Sequence, residues 1–196
     1  MTKYNADYAF ILKNIDVDGF PILKADTSTA KRFYQSDPLA AGSAPLIFSN
    51  GFQALFAKRG IKEKRADVLF DGATFIVRNH IRTALLALEL PTINLHPAVY
   101  TDGEGRRHAD YWYVAFPGFI DCVDRAKSRY MPPLYPDDTL AMGAYSLDDA
   151  VLDKIPLQQR LLFRMGGTDD GLVVCHCSLF NHFRDDGVLI TMIADY

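Results

Sequence analysis

Residues 109–116, Ala-Asp-Tyr-Trp-Tyr-Val-Ala-Phe, constrain the fold more than any other stretch. Side chains alternate along an extended chain, so Tyr111, Tyr113 and Ala115 share one face and Trp112, Val114 and Phe116 the other. Both faces are apolar, which predicts a strand in the interior of a sheet rather than at its edge. The β-rich run Ile-Asn-Leu-His-Pro-Ala-Val-Tyr at 93–100 precedes it, and the polar loop Thr-Asp-Gly-Glu-Gly-Arg-Arg-His at 101–108 joins the two. Two such runs around a glycine-containing loop predict a hairpin.

A weak repeat surrounds this hairpin. Residues 46–56 read LIFSNGFQALF, residues 75–85 FIVRNHIRTAL and residues 172–183 LVVCHCSLFNHF. Each opens with three apolar residues suited to a strand and continues at near-helical spacing: Phe52, Leu55 and Phe56; Ile81, Leu85 and Leu86; Leu179 and Phe183. Ser49, Arg78 and Cys175 are expected at or within about two residues of a helix start. Asp7–Ile15 and Arg160–Met165 read as further strands, and residues 15–45 as loop with one helical turn. The expected class is α+β: a mostly antiparallel sheet with repeated strand–helix units and a central hairpin. At 196 residues the chain suits a single domain; two packed subdomains, 1–130 and 131–196, joined near the proline-rich segment 132–136, are the alternative.

Charge and composition exclude several classes. The opening residues carry no cationic stretch leading into an apolar run, so no signal peptide is expected, and no apolar run is long enough for a membrane span. Three cysteines without framework spacing point to reduced thiols in the cytoplasm. The net charge of -3 conceals an asymmetry: residues 1–130 hold 17 Lys+Arg against 14 Asp+Glu, and residues 131–196 hold 4 against 10. No basic stripe exceeds AKRGIKEKR at 57–65, which reads as a helix end with its exit loop, so nucleic acid is disfavoured as a partner. The acidic doublets Asp137–Asp138, Asp148–Asp149 and Asp169–Asp170 read either as solvated loop ends and helix starts or as a face for a basic partner.

No catalytic constellation stands out. Cys175, Cys177 and His182 are the candidates for a metal site or a reactive thiol. In a strand the two thiols share a face; in a helix Cys175 and His182 do; neither geometry gathers all three groups. Small residues packing at a strand–helix junction are the simpler reading, and no metal or cofactor is expected. His108, beside Asp110, reads as part of a solvated turn. Asp121, Asp124 and Ser128 fall on one face of a possible helical turn; paired carboxylates there suit acid–base work, and the simpler reading is that Asp121 or Asp124 caps the turn while Arg125 and Lys127 balance charge. RMGGTDDG at 164–171 lacks the lysine and spacing of a phosphate loop and reads as a turn.

The stretch from FIVRNHIRTALL through ADYWYVAFPGFIDCVDRAKSRY, with LLFRMGGTDDGLVVCHCSLFNHFRDDGVLITMI, resembles bacterial immunity proteins of polymorphic toxin systems, in particular the immunity protein eleven family. The resemblance lies in the order of features: an apolar triplet with a polar cap and a helix, a strand bearing Pro97, a hairpin strand opening with Asp110 and Tyr111, then Asp124, Ser128 and Tyr130, and later Phe163–Arg164. Arg78 and Cys175 depart from it where a serine cap belongs. The resemblance implies a cytoplasmic antitoxin that binds one secreted toxin domain without turnover or cofactor; the residues themselves disfavour nucleic acid and membrane as partners and leave a homo-oligomer open. The rivals are a small enzyme using Cys175, Cys177 and His182 and an interaction module with no toxin partner.

Overall fold

The computed structural model describes residues 2–35, 39–131 and 142–196. In chain order the described strands are β1 (Tyr8–Lys13), β2 (Leu23–Ala25), β3 (Leu46–Asn50), β4 (Val68–Asp71), β5 (Thr74–Arg78), β6 (Asn94–Thr101), β7 (Arg107–Ala115), β8 (Ile120–Asp121), β9 (Arg129–Tyr130), β10 (Met142–Ala144), β11 (Leu162–Gly166), β12 (Val173–His176) and β13 (Val188–Met192). The α-helices are α1 (Thr27–Ala30), α2 (Gln53–Arg59), α3 (Asn79–Ala87), α4 (Asp149–Leu152) and α5 (Leu157–Arg160). The class is mixed α+β with mostly antiparallel sheets, as the sequence predicts.

One sheet has the order β2-β3-β6-β7-β5-β4, with β3 and β6 parallel and its other neighbours antiparallel. Its two edges meet at a parallel bridge between Ile22 and Phe70, so the sheet closes on itself as a small barrel. Strand β7 lies between β6 and β5, and both its faces are covered. Tyr111, Tyr113 and Ala115 point into the barrel with Phe48, Ile76 and Ala98, while Val114 points outward, with Trp112 and Phe116 packed at the same layer. The predicted hairpin is the β6–β7 pair.

The second sheet has the order β13-β1-β12-β11-β8 and joins the N-terminal strand to C-terminal ones. Its faces alternate strictly in β12: Val173 and Cys175 turn toward the barrel, and Val174 turns to a third cluster with Tyr8, Phe10, Phe163 and Leu147. The layer between barrel and sheet holds Phe75, Val77, Ile81, Leu85 and Phe183, with Phe75 and Phe183 edge to face at 5.9 Å. The chain passes from barrel to second sheet between Ala115 and Ile120. The segment 132–136 lies outside the described residues.

Two of the three strand–helix units follow expectation. Arg78 occupies the N-cap of α3, and Cys175 stands two residues before a 3-10 helix, Cys177–Phe183, capped by His176. Ser49 does not stand at a helix start: it lies within β3, three residues before the cap Phe52. Asn50 makes the turn instead, its side-chain oxygen accepting from the Phe52 N–H at 2.7 Å.

Candidate functional site at the barrel mouth

Strands β3, β5 and β6 end, and β4 and β7 begin, at one end of the barrel. Helix α2 stops there at Gly60, whose φ of 64° is left-handed backbone that costs glycine little. The chain then crosses the opening as a strap, Ile61–Arg65, before entering β4. Strap, α2 and the hairpin tip enclose a cleft of about 620 Å³, with Phe56, Leu69, Tyr100 and Tyr111 deep in its wall. That size suits a side-chain-bearing segment or a small ligand, and barrel mouths are a common place for one.

Glu63 fastens the strap. Its carboxylate accepts from the Tyr100 hydroxyl at 2.6 Å, the Asn50 amide at 2.6 Å and the Gly103 N–H at 2.9 Å. Those partners lie on β6, on β3 and at the hairpin tip, so one side chain ties three elements. Gly103 is required by this approach, because a Cβ there would stand 2.9 Å from the Glu63 carboxylate. Lys64 adds a backbone bond to the Gly19 carbonyl at 2.8 Å, and its ammonium sits 5.2 Å over the Phe20 ring. Burial, reinforced by the Glu63 carboxylate, holds the Tyr100 hydroxyl well above its usual pKa.

The second polar group at the mouth is His108. It is not part of a solvated turn: it lies in β7, its ring 2.9 Å from the Asp102 carboxylate and stacked on Tyr100 at 6.2 Å. Asp102 also accepts from the Glu104 and Arg106 N–H groups, closing the hairpin tip. Burial pushes the Asp102 carboxyl up, but the bonds from His108 and the Arg106 N–H outweigh it and hold the group below its usual range. On the far wall Arg78 pairs with Asp110 at 2.5 Å and Asp67 at 3.4 Å, its guanidinium 4.8 Å over Tyr111.

Apart from the paired Arg106 and Glu104, the remaining ionisable groups at the rim are cations. Lys58, Arg59, Lys62, Lys64 and Arg65 are exposed, and among the described residues none of them has a carboxylate in ion-pair range.

The residues singled out in the sequence fall elsewhere. Cys175 is fully buried and Cys177 exposed, so the two thiols do not share a face, and His182 joins neither in a bond. Burial pushes the Cys175 thiol up, away from reactivity. Among the described residues no group of three or more His, Cys, Asp or Glu side chains is placed to hold a metal. Asp124 caps a turn through the Ala126 and Lys127 N–H groups, and Asp121 pairs with Arg125, as expected.

Of the acidic doublets, Asp137 and Asp138 lie outside the described residues. Asp148 caps α4 by accepting from the Ala150 and Val151 N–H groups, and Asp149 accepts from the Lys3 N–H at 2.9 Å. Asp170 accepts from the Tyr145 hydroxyl, and Asp169 is exposed. Three of these four described carboxylates therefore hold the fold together.

Glu63, Asn50 and Tyr100 were not visible as a site in the sequence. The available signal was slight: one glutamate among five cations just after a helix-ending glycine. Compared with known proteins, the chain matches no family model and no curated protein. The resemblance to the immunity protein eleven family rests on the residues alone. No described helix is long and apolar enough to cross a membrane.

Proposed function

We propose that this chain is an immunity protein: it binds the toxin domain of a secreted bacterial protein in the cytoplasm of its own cell and neutralises it by covering it, without turnover or cofactor. The observation that supports this most is the state of the barrel mouth. A general base needs a lone pair within reach of a substrate proton. Glu63 already accepts three bonds and Asp102 is held by His108 and two N–H groups, so these carboxylates serve as scaffold. What the mouth offers is a braced concavity with exposed side chains around it. A braced surface loses little conformational entropy when a partner docks, which favours tight binding.

The test is co-expression. A candidate toxin domain, taken from a gene that flanks the one for this chain, is expressed in a sensitive bacterium with and without it. Restored growth together with a stoichiometric complex on gel filtration is the expected result. No rescue, or rescue without a complex, overturns the reading. The same chromatography reports whether the free chain self-associates.

A further inference from the structure

We propose that the strap over the barrel mouth is a docking surface for an acidic segment of the partner protein, whose carboxylates pair with Lys62, Lys64 and Arg65 while an intervening side chain enters the mouth. This deepens the immunity reading and rests on it. The sign of the partner's charge follows from which charges are already paired. The carboxylates at 148, 149 and 170 accept bonds inside the fold, whereas residues 58–65 present five cations with no ion-pair partner among the described residues. Glu63, the one acid of that stretch, binds inward to Asn50, Tyr100 and Gly103 and leaves the outer face wholly cationic. On the opposite wall Arg106 is paired with Glu104, and His108 with Asp102, so the free charge is concentrated on the strap.

Geometry narrows the partner to a protein. The cations border a concave mouth and are interleaved with Phe56, Ala57 and Ile61, which suits a short loop carrying acidic and apolar side chains. A nucleic acid needs an extended basic track that follows successive phosphates, and the chain's net charge of -3 opposes a polyanion at a distance. The strap is braced by the Glu63 bonds, the Lys64–Gly19 backbone bond and the Lys64–Phe20 contact, so its charges are held in place before the partner arrives. Matched charge of this kind acts chiefly on the association rate and is screened by salt.

The experiment reverses the strap in Lys62→Glu/Arg65→Glu, which leaves Lys64 and its contact with Phe20 in place. Both side chains are exposed, so the variant keeps the parent's circular dichroism and unfolding midpoint. Association with that candidate toxin domain is measured at two salt concentrations, with Asp169→Asn as the control. The parent is expected to associate faster at low salt, the strap variant at least about tenfold more slowly, and the control like the parent. If the parent binds and the strap variant associates as fast, this proposal fails while the immunity reading stands. If the parent does not bind, the immunity reading fails, and a hexaglutamate peptide decides the strap by itself. Backbone NMR shifts at 58–65 that vanish in the variant support an acid-binding strap; their absence overturns it. A single-stranded oligonucleotide that binds the strap more tightly than the peptide also overturns it, in favour of nucleic acid.

Discussion

Removing the Glu63 carboxylate is expected to unfasten the strap at a cost that follows from its partners. In Glu63→Ala, Asn50, 4% exposed, and Tyr100, 3% exposed, both lose the acceptor of a side-chain donor. The Gly103 N–H is at an exposed position and turns to water. Each buried donor left unsatisfied costs about 1–3 kcal/mol, and water entering the cleft offsets part of it, so about 2–4 kcal/mol is expected. With a urea dependence of about 2 kcal/mol/M, the midpoint falls by roughly 1–2 M. Tyr100→Phe leaves Glu63 two donors and creates no orphan, so it costs about 1 kcal/mol. Because the two groups share one bond, the double variant is expected to fall short of additivity by about 1 kcal/mol. Urea unfolding of the four proteins, read by fluorescence and circular dichroism together, measures all of this. A Glu63→Ala variant within about 0.5 kcal/mol of the parent, or strict additivity, would refute the clasp.

Other outcomes follow from the same structure. Of the three cysteines, Cys177 alone is exposed, while burial raises Cys175 and lifts the Cys122 thiol to about 12; a thiol reagent at pH 8 is expected to modify one cysteine in the folded protein and three in urea, and fast modification of Cys175 would contradict this. Burial holds His176 below its ordinary 6.5, so the neutral ring is the one the fold favours; its contribution to stability is fully present above pH 6.5 and is lost as pH falls through the folded value. Urea midpoints from pH 7.5 to pH 5 are expected to drop in the parent and to drop less in His176→Asn, which keeps the cap to the Ser178 N–H; equal slopes in both would count against the assignment. Phe75, fully buried between barrel and second sheet, packs against Phe70 and Phe183; Phe75→Ala is expected to cost about 3–5 kcal/mol in urea unfolding, and a cost below about 1 would mean the two layers are not coupled there.

The hairpin and the central place of β7 were legible because period-two alternation with both faces apolar has few other solutions. Helix α3 was legible from its apolar spacing, and the caps at Asp124 and Asp148 from carboxylates placed before a turn or an apolar run. Barrel closure was not, since the Ile22–Phe70 bridge joins edge segments of three and four residues, too short to carry a period. Ser49 was misplaced because Asn50, one residue on, competes better for the turn N–H. Asp149 and Asp170 read as free because their partners are remote: the Lys3 N–H bonded to Asp149 lies 146 residues away, and the Tyr145 hydroxyl bonded to Asp170 lies 25 away. Glu63 was hidden for the same reason, with partners 13, 37 and 40 residues distant. Local pattern reveals elements; which charges are left unpaired depends on tertiary contacts.

An immunity protein of this build meets its toxin domain at the barrel mouth. Hydrogen–deuterium exchange of the complex, compared with the free protein, reports that directly. The prediction is slowed exchange at the strap, residues 58–65, and at the hairpin tip, residues 101–108, with little change around Asp148 and Asp149. Protection confined to the second sheet, or no complex with the toxin domain at all, would contradict it.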